Sequence, residues 1–497
     1  MPIASAPRPF VVDYTTDLAA AAPDLAPPLA PDVLMLLPPC FVLGGLLPAA
    51  SAAATSTGAA APRTDDHADQ AVNGDLARSQ YGVSGAGIKV GILSDSFNVL
   101  GGAAADVAAG DLPANVQVLE DGPAGSHDEG RAMAELVHRI APGAQILFHT
   151  ATNGEADFAA GITALTAAGC NVIVDDVAYL DEPFFQSGGT VQAAVTEAVA
   201  RGVSYFTAAG NQGQDYIQQD FAPLHLVLPE LPAGAAVQNF GSVAAPQPWL
   251  DVTIPSGGQG LFDLQWNQPY GGSADSLGMA LFDANGNPVA LAAVNQTGGT
   301  PDQVLTYSNS GSATGFRLVL YANGGATPPG LFKIIAYGNG RIASAAAGTG
   351  SGSVIGHEMV PGANTVGAMA WTAAPRFGGS NTPESFSSVG SGTFLFAANG
   401  TKLAQPQSSA KVDFLAPDGS VTSALAPFFG TSAAAANAAG VAALVLQADP
   451  ALTPAQLTQV LDQTAAPANG AGLAVGAGLL QADTAVQMAL SLAHTGT

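Results

Sequence analysis

Polar side chains follow three apolar, strand-like runs, and they are of the types that acid–base chemistry uses. Ser94 and Asp95 follow Ile88–Leu93, Asp175 and Asp176 follow Val172–Val174, and Thr207–Asn211 follows Val203–Phe206. In an open parallel sheet, the ligand crevice lies beyond the carboxyl ends of the strands. The three endings together therefore predict one cleft, lined by carboxylates and an asparagine amide.

A serine opens a long alanine-rich helical pattern near the end of the chain. The segment GTSAAAANAAG covers residues 430–440, with Gly430 allowing close approach and Ser432 at the start of the helix. The N-terminus of a helix offers N–H groups and a positive dipole end, which favour a nearby oxyanion. A nucleophilic serine is one interpretation. The alternative is that Thr431 or Ser432 merely caps the helix.

The alternation of patterns along the chain indicates the scaffold that must hold these residues. From about residue 75 to 222, and again from about 346, strand-like runs alternate with helical patterns. This alternation predicts an α/β fold whose parallel sheet has helices on both faces. Residues 223–345 instead contain short alternating runs separated by Gly, Asn and Pro. They predict an inserted antiparallel β domain of the sandwich type.

One turn of this insert has residue types that could bind a cation. Residues 283–288 read DANGNP, and their Asn-Gly pair is a hairpin signal. Asp283, Asn285 and Asn287 have the spacing of calcium ligands, but the glutamate that completes a calcium loop is missing. A plain turn is the prediction here.

Six segments, taken together, resemble the subtilase clan of serine peptidases, which includes the subtilisins and the sedolisins. The resemblance covers roughly residues 75–222 and 346–490, and the segments occur in the order found in the family. They are IAPGAQI at 140–146, TAAGN at 207–211, SFSSVG at 385–390, KVDFLAPDG at 411–419, GTSAAAANAAGVAAL at 430–444 and VGAGLLQADTAV at 475–486.

The resemblance implies a subtilisin-like doubly wound parallel sheet and a serine endopeptidase that forms an acyl-enzyme on Ser432. It implies that Asp95 is the first catalytic carboxylate. Asn211 would donate its amide to the oxyanion, together with the backbone N–H of Ser432.

Four further residues are implied to border the substrate groove. Gly210 and Gly430 flank the oxyanion asparagine and the nucleophile, and Asp175 and Asp176 follow a neighbouring strand. The alternative for the two aspartates is hydrogen bonding to loop backbone. Protein or peptide substrates are the partners that this arrangement predicts.

The histidine base of the subtilases has no direct counterpart. Their H-G-T-H motif aligns with SHDEGRAMAELVHRIAPGA at 126–144, which puts Glu129 at the histidine position. Sedolisins also have a glutamate there, but they place an aspartate where this chain has Met133 and another where it has Asn211. His127 is the rival base, and His149 is a third candidate.

The helical pattern supports Glu129 independently, because apolar residues follow it by four, seven and eleven positions on the same face. Asp128 is placed to cap this helix, and His138 should lie on its exposed side. A glutamate ionises near pH 4, and a neighbouring Asp95 would share its proton. We therefore expect activity to peak at about pH 3–5.5, whereas a histidine base would hold it at about pH 7–9.

Two departures from the family leave a second interpretation open. The motif histidine is missing, and Ala436 stands where the family usually has proline four residues after the serine. The alternative is a catalytically inactive scaffold that binds through its inserted domain. The resemblance also makes calcium a candidate cofactor, but the sequence identifies no metal ligands.

The composition fits a packed globular protein and restricts its partners. The chain is 48% hydrophobic and 10% charged, and its 13 Lys and Arg against 38 Asp and Glu give a net charge of -25. Such a surface repels nucleic acid. Cys40 and Cys170 form no disulfide framework, and Cys170 is predicted to be a core residue. The sequence makes no prediction of oligomeric state.

Residues 1–74 are rich in Ala and Pro and are predicted to be a leader or linker, with a pro-segment as one form of it. Residues 33–50 are apolar, but prolines interrupt them and no membrane span is expected. An atypical export signal and a loosely ordered leader both fit this stretch. We expect a secreted protein whose peptidase domain comprises residues 75–222 and 346–497.

Overall fold

The computed structural model describes residues 63–495, apart from 225, 227, 323–329 and 345–346, and two short strands before them. Its helices are α1 (His67–Ala71), α2 (Gly74–Tyr81), α3 (Ala103–Ala109), α4 (Glu129–Ile140), α5 (Glu155–Ala167), α6 (Thr190–Ala200), α7 (Thr431–Ala448), α8 (Pro454–Thr464), α9 (Gly472–Val475) and α10 (Ala482–Thr495). Its strands are β1 (Val11–Asp13), β2 (Val42–Leu43), β3 (Lys89–Ser94), β4 (Gln117–Glu120), β5 (Gln145–Thr150), β6 (Val172–Asp175), β7 (Val177–Tyr179), β8 (Ser204–Ala208), β9 (Tyr216–Asp220), β10 (Pro223–Leu224), β11 (Ala236–Gln238), β12 (Leu250–Thr253), β13 (Gln259–Trp266), β14 (Leu277–Phe282), β15 (Pro288–Ala292), β16 (Asp302–Ser308), β17 (Gly315–Ala322), β18 (Leu331–Gly338), β19 (Arg341–Ile342), β20 (Ala363–Ala370), β21 (Gly390–Phe396), β22 (Lys402–Lys411) and β23 (Phe414–Asp418).

Seven parallel strands form the central sheet, in the order β23-β20-β8-β6-β3-β5-β4. Its inner strands are buried on both faces, which explains why they read as continuous apolar runs. Helices α4 and α7 cover one face, and α5 and α6 cover the other. The predicted doubly wound α/β fold is confirmed.

Helix α7 is the central helix of the larger core. All its residues from Thr431 to Leu446 are buried, and its alanines let it lie close to the sheet and to α4. At Gly440 an added Cβ would lie 2.9 Å from the Cβ of Ile140, so a glycine is needed where α4 and α7 cross. Among the described residues, α7 is also the one helix long and apolar enough to cross a membrane, and 89% of it is buried inside the protein. It is therefore a core helix and gives no evidence of a membrane span.

Two antiparallel sheets pack against each other between the two halves of the α/β fold. One has the order β16-β13-β18-β9, and the other has β10-β11-β17-β12-β19 with the hairpin β14–β15 attached to β17. Large apolar side chains, among them Trp266, Met279 and Phe332, fill the space between the sheets. The predicted inserted antiparallel domain is confirmed. Its first strand begins at Tyr216, before the predicted boundary at residue 223.

The four-stranded sheet of the insert packs on both of its faces. Side chains alternate along a strand, so that Phe262 and Ile334 enter the core between the two antiparallel sheets. Their neighbours Leu261, Ile335 and Tyr337 point the other way and join the core that contains α4 and α7. We call this sheet the shared wall.

The folded part of the chain begins before the predicted boundary at residue 75. Ala68, Ala71 and Val72 are buried, and the carbonyl of Val72 accepts a hydrogen bond of 2.7 Å from the N–H of Ala482. Residues 63–74, predicted as leader, are thus part of the folded domain. Cys40 and most of the apolar stretch 33–50 lie outside the described residues; of that stretch, only β2 is described, and it pairs with β1.

Two smaller predictions are confirmed. Cys170 is a buried free cysteine. Asp283 begins a hairpin turn, and its carboxylate accepts hydrogen bonds from the N–H groups of Asn285 and Asn287 at 2.9 and 2.8 Å. The carboxylate is thus bound by the backbone of its own turn.

Candidate active site

Asp95 follows β3 and binds the N-terminus of α4. Its Oδ1 accepts a hydrogen bond of 2.8 Å from the N–H of Glu129, and its Oδ2 accepts one of 2.5 Å from the N–H of His127. The carboxylate is 1% exposed. Asp95 therefore supplies a partner for the first N–H of α4, which the helix itself leaves without one, and also binds the loop residue before its N-cap.

The two candidate bases differ in exposure. Glu129 is the first residue of α4 and is 1% exposed, whereas the His127 side chain is 43% exposed. The Nδ1 of His127 lies 3.9 Å from Oδ2 of Asp95, which is too long for a hydrogen bond. The buried Glu129 is thus fixed by its helix, while the imidazole reaches solvent.

The glycine after Glu129 allows α4 to lie close to the sheet. A Cβ at Gly130 would lie 2.2 Å from the Phe148 ring and 2.8 Å from the carbonyl oxygen of Ser96. The sheet and the end of β3 therefore set the position of the first turn of α4, and with it the position of Glu129.

Two expectations about α4 are wrong. Asp128 occupies the N-cap position, but its carboxylate accepts from the hydroxyl of Ser96 and the N–H of Val99, and pairs with Arg131, instead of capping the helix. The carboxylate of Asp95 takes over part of that role. His138 is partly buried, with its Nδ1 enclosed, and burial lowers the pKa of its imidazole.

Ser432 is the second residue of α7 and is completely buried. Its Oγ has no hydrogen-bond partner among the described residues. The hydroxyl therefore does not cap the helix, which removes the alternative role for this residue. It is a buried hydroxyl at the positive end of an 18-residue helix.

Thr431 fixes the orientation of Asn211. The N–H and the hydroxyl of Thr431 each donate to Oδ1 of Asn211 at 3.1 Å, and the Gly210 N–H donates to the Thr431 hydroxyl at 3.1 Å. A backbone N–H can only donate, so the atom that it meets must be the amide oxygen. The amide nitrogen of Asn211 is therefore on the opposite side of the group.

Gly430 connects the start of α7, which carries Ser432, to the last strand of the sheet. It has a φ of 112°, and its N–H donates to Oδ2 of Asp418 at 2.8 Å. Burial, together with the nearby Glu384, raises the pKa of Asp418 well above its usual range. A buried carboxyl group thus lies directly behind the segment that carries Ser432.

Asp175 does not border a groove with Ser432. It lies on the face of the sheet that α5 and α6 cover, where its Oδ1 accepts from the Thr207 hydroxyl at 2.9 Å and lies 3.1 Å from Nε2 of His357. The other ring nitrogen of His357 lies 2.8 Å from Glu182. Burial opposes protonation of His357, but the two carboxylates outweigh it and raise the pKa of the imidazole well above its usual range. Asp175 is thus part of a buried ion pair.

Asp176 and His149 lie on opposite sides of the sheet. Side chains alternate along a strand, so Asp176 follows Val174 towards the face of α4 and α7, where it is 1% exposed. His149 packs against Gly161 of α5 on the other face. The structure therefore does not bring His149 together with Ser432.

Besides Gly210, Gly430 and Asp176, the structure places four of the predicted residues at the carboxyl edge of the sheet, on the face that α4 and α7 cover. They are Asp95, Glu129, Asn211 and Ser432. Thr431 was not predicted to orient the asparagine; its place inside the GTS motif, next to the serine, is the signal that could have indicated this role.

Comparison with known proteins places this geometry in a family. The sequence model of the subtilase family (Peptidase_S8) matches residues 123–479, more than half of the chain. A search of curated proteins found no match. Among solved structures, the Clostridium perfringens CspB protease has a TM-score of 0.55 and 14% identity, with 86% of this chain and 98% of that chain covered.

Two other solved structures are more distant in shape. A lanthipeptide protease has a TM-score of 0.42 and 13% identity, with 85% of this chain and 94% of that chain covered. Fervidolysin from Fervidobacterium pennivorans has a TM-score of 0.39 and 16% identity, with 84% of this chain and 45% of that chain covered. The match to the CspB protease, at 14% identity, is evidence of the fold alone.

Proposed function

Because this chain belongs to the subtilase family, we propose that it is a serine endopeptidase that hydrolyses proteins or peptides through an acyl-enzyme on Ser432. The observation that carries the proposal is the buried hydroxyl of Ser432 at the N-terminus of α7, beside an asparagine amide whose orientation Thr431 fixes. Nucleophile and oxyanion donors must be adjacent for acyl transfer.

Glu129 takes the proton from Ser432 as the hydroxyl attacks the peptide carbonyl, and returns it to the leaving amine. Its burial and its fixed place at the start of α4 support this role over His127, whose ring is half in solvent. Asp95 positions Glu129 because its carboxylate accepts a hydrogen bond from the backbone N–H of Glu129. In the second half of the reaction, Glu129 takes a proton from water as the water attacks the acyl-enzyme. The bond to Ser432 then breaks, the serine oxygen recovers the proton and the acid product leaves.

The oxyanion of the tetrahedral intermediate accepts hydrogen bonds from the amide nitrogen of Asn211 and the N–H of Ser432. Removing one such donor typically lowers kcat by about 100- to 1000-fold. We expect Asn211→Ala to fall in that range, measured as kcat on a peptide amide substrate.

A carboxylate base implies an acid optimum. A glutamate must be ionised to accept a proton and is most effective near its own pKa, so activity should peak at about pH 3–5.5. The excess of acidic over basic residues suits an acid medium, where many surface carboxylates are neutral. We further propose that the enzyme acts outside the cell.

We assign no calcium ligands. The turn at Asp283 was the one calcium-like spacing noted in the sequence, and its carboxylate is already used by the N–H groups of that turn. The proposed reaction requires no step at a metal.

The test is hydrolysis of casein by the full chain across a range of pH, with Ser432→Ala, Glu129→Gln and His127→Ala. Ser432→Ala should abolish activity, and Glu129→Gln should lower it by about 100- to 10,000-fold. His127→Ala should keep the acid optimum. Glu197→Gln is the matched control, since Glu197 lies on the exposed side of α6 and, among the described residues, forms an ion pair with Arg201 at the end of that helix.

If activity instead peaks near neutral pH and His127→Ala abolishes it, Glu129 is not the base, although the serine mechanism still holds. Hydrolysis that is absent at every pH, in a protein that unfolds cooperatively, would instead favour the inactive binding scaffold.

A further inference from the structure

A second cluster of ligand-type side chains lies away from Ser432, on the opposite face of the sheet. Glu120 at the end of β4 is the register neighbour of His149 on β5, and Asp157 lies in the first turn of α5. One carboxylate oxygen from each acid and one imidazole nitrogen all lie within 4.8 Å of one another. None of the three takes part in the proposed peptidase mechanism.

The imidazole of His149 is oriented as a metal-binding histidine requires. The side chain is 6% exposed, and its Nδ1 lies 2.7 Å from the carbonyl oxygen of Thr150. A carbonyl can only accept, so Nδ1 carries a proton, and in the neutral ring Nε2 is the nitrogen with a lone pair for a metal. A backbone carbonyl that fixes the tautomer in this way is the usual outer partner of a metal-ligating histidine.

Gly161 makes room for this ring. A Cβ at Gly161 would lie 2.7 Å from Nδ1 of His149, so any larger residue on α5 would displace the imidazole. The ring is thus held between β5 and α5, with Nε2 directed towards Glu120.

The two carboxylates are placed to complete the site. Oε2 of Glu120 lies 3.7 Å from Nε2 of His149, which is too long for a hydrogen bond. The other oxygen of Glu120 accepts from the side-chain amide of Asn153 at 3.0 Å, which orients the group. Oδ2 of Asp157 is shielded from solvent and has no hydrogen-bond partner among the described residues. A buried carboxylate oxygen of this kind requires a proton or a cation.

The distances match a small divalent ion. Two ligand atoms about 2.1 Å from a tetrahedral Zn²⁺ lie about 3.4 Å apart. The Glu120–His149 separation of 3.7 Å is close to this value, and a carboxylate oxygen of Asp157 lies within 4.8 Å of both ligand atoms.

We propose that Glu120, His149 and Asp157 bind a divalent first-row transition ion, with zinc as the reference case. An imidazole with two carboxylates suits such ions, whereas Ca²⁺ and Mg²⁺ prefer all-oxygen sites. Three protein ligands leave one position for water. The bound ion cross-links β4, β5 and α5, and thereby holds the edge strand β4 to the sheet.

The test uses the full chain in the Ser432→Ala background, freed of metal with a chelator that is then removed. Zn²⁺ is titrated calorimetrically at about pH 7, where a neutral imidazole can bind it. We expect one Zn²⁺ per chain and a higher Tm in its presence. Glu120→Gln and Asp157→Asn should each weaken the Kd at least about tenfold. Glu197→Gln is the control and should leave the Kd unchanged.

Co²⁺ identifies the ligands independently of stability. Its visible spectrum should report nitrogen and oxygen ligands, without the charge-transfer band of a thiolate, which excludes a site built on cysteine. Because Glu120 is half exposed, Glu120→Gln should fold normally even if substitutions at the buried His149 do not. Zinc binding that is absent, or that both carboxylate variants leave unchanged, would overturn the proposal. If Ca²⁺ binds this site as tightly as Zn²⁺ does, the assignment of the site to a transition ion is wrong.

Discussion

Glu135→Gln should remove a large part of the pH dependence of stability. Glu135 is on the buried side of α4, and its Oε2 accepts from the hydroxyl of Thr64 at 2.7 Å and from the N–H of Ser423 at 2.6 Å. Its other oxygen is buried without a hydrogen-bond partner among the described residues. Burial raises the pKa of this carboxyl from 4.5 to about 7, with Asp106 adding to the rise and Arg131 opposing it.

The sign and the size follow from the two pKa values. A carboxyl whose folded pKa lies above its unfolded value favours the folded state in acid, and this contribution is lost as the pH rises through the folded value. Each tenfold change in the dissociation constant corresponds to about 1.4 kcal/mol. The difference between 4.5 and about 7 therefore makes the wild type about 3 kcal/mol less stable at about pH 8 than at about pH 4 through this group alone.

The assay is urea unfolding at about pH 4 and about pH 8 in the Ser432→Ala background, which prevents self-digestion. Glu135→Gln keeps an oxygen acceptor for Thr64 and Ser423 but cannot ionise, so its loss of stability between the two pH values should be about 3 kcal/mol smaller. The exposed Glu197→Gln should behave as wild type. If Glu135→Gln loses as much stability as wild type, burial does not raise the pKa of this group.

Three further perturbations test other parts of the structure. Thr431→Val removes one of two donors to Asn211 and should lower kcat at least about tenfold with a smaller effect on KM, measured by steady-state kinetics. Gly440→Ala places a methyl group against Ile140 and should lower the free energy of unfolding by about 1–3 kcal/mol in urea. Burial lowers the pKa of Lys333 to about 7. Through this group, stability should rise with pH above about 7, and Lys333→Met should remove this contribution to the pH dependence of Tm.

The sheet was largely predictable, because strands buried on both faces leave long apolar runs in the sequence. β3, β6 and β8 were recognised in this way. The edge strand β4 and the hairpin strand β22 were not, since their side chains are mostly exposed and follow no apolar pattern. The order of strands in the sheet could not be predicted from the sequence either, because β20 follows the insert yet pairs with β8, and β23 pairs with β20 at the edge of the sheet.

The site was predicted in part. The resemblance indicated Ser432 and Asn211, and the structure brings both to one edge of the sheet. Asp175 was assigned to the groove although it differs from Asp176 by one position. A strand directs neighbouring side chains to opposite faces, and counting from Val174 would have separated the two. The ion pair of Asp175 with His357 could not be found from local patterns, because 182 positions separate the partners.

The shared wall has a consequence for any attempt to exchange or delete the insert. Deletion would remove Leu261, Ile335 and Tyr337 from the core that also contains α4 and α7, and would leave a cavity in that core. The side chain of Gln265 would also no longer hold the carbonyl groups of Leu180 and Glu182. The insert is therefore not a removable module: a chimaera that replaces it must reproduce the apolar surface of one sheet, and calorimetry should record a single unfolding transition for both parts of the molecule.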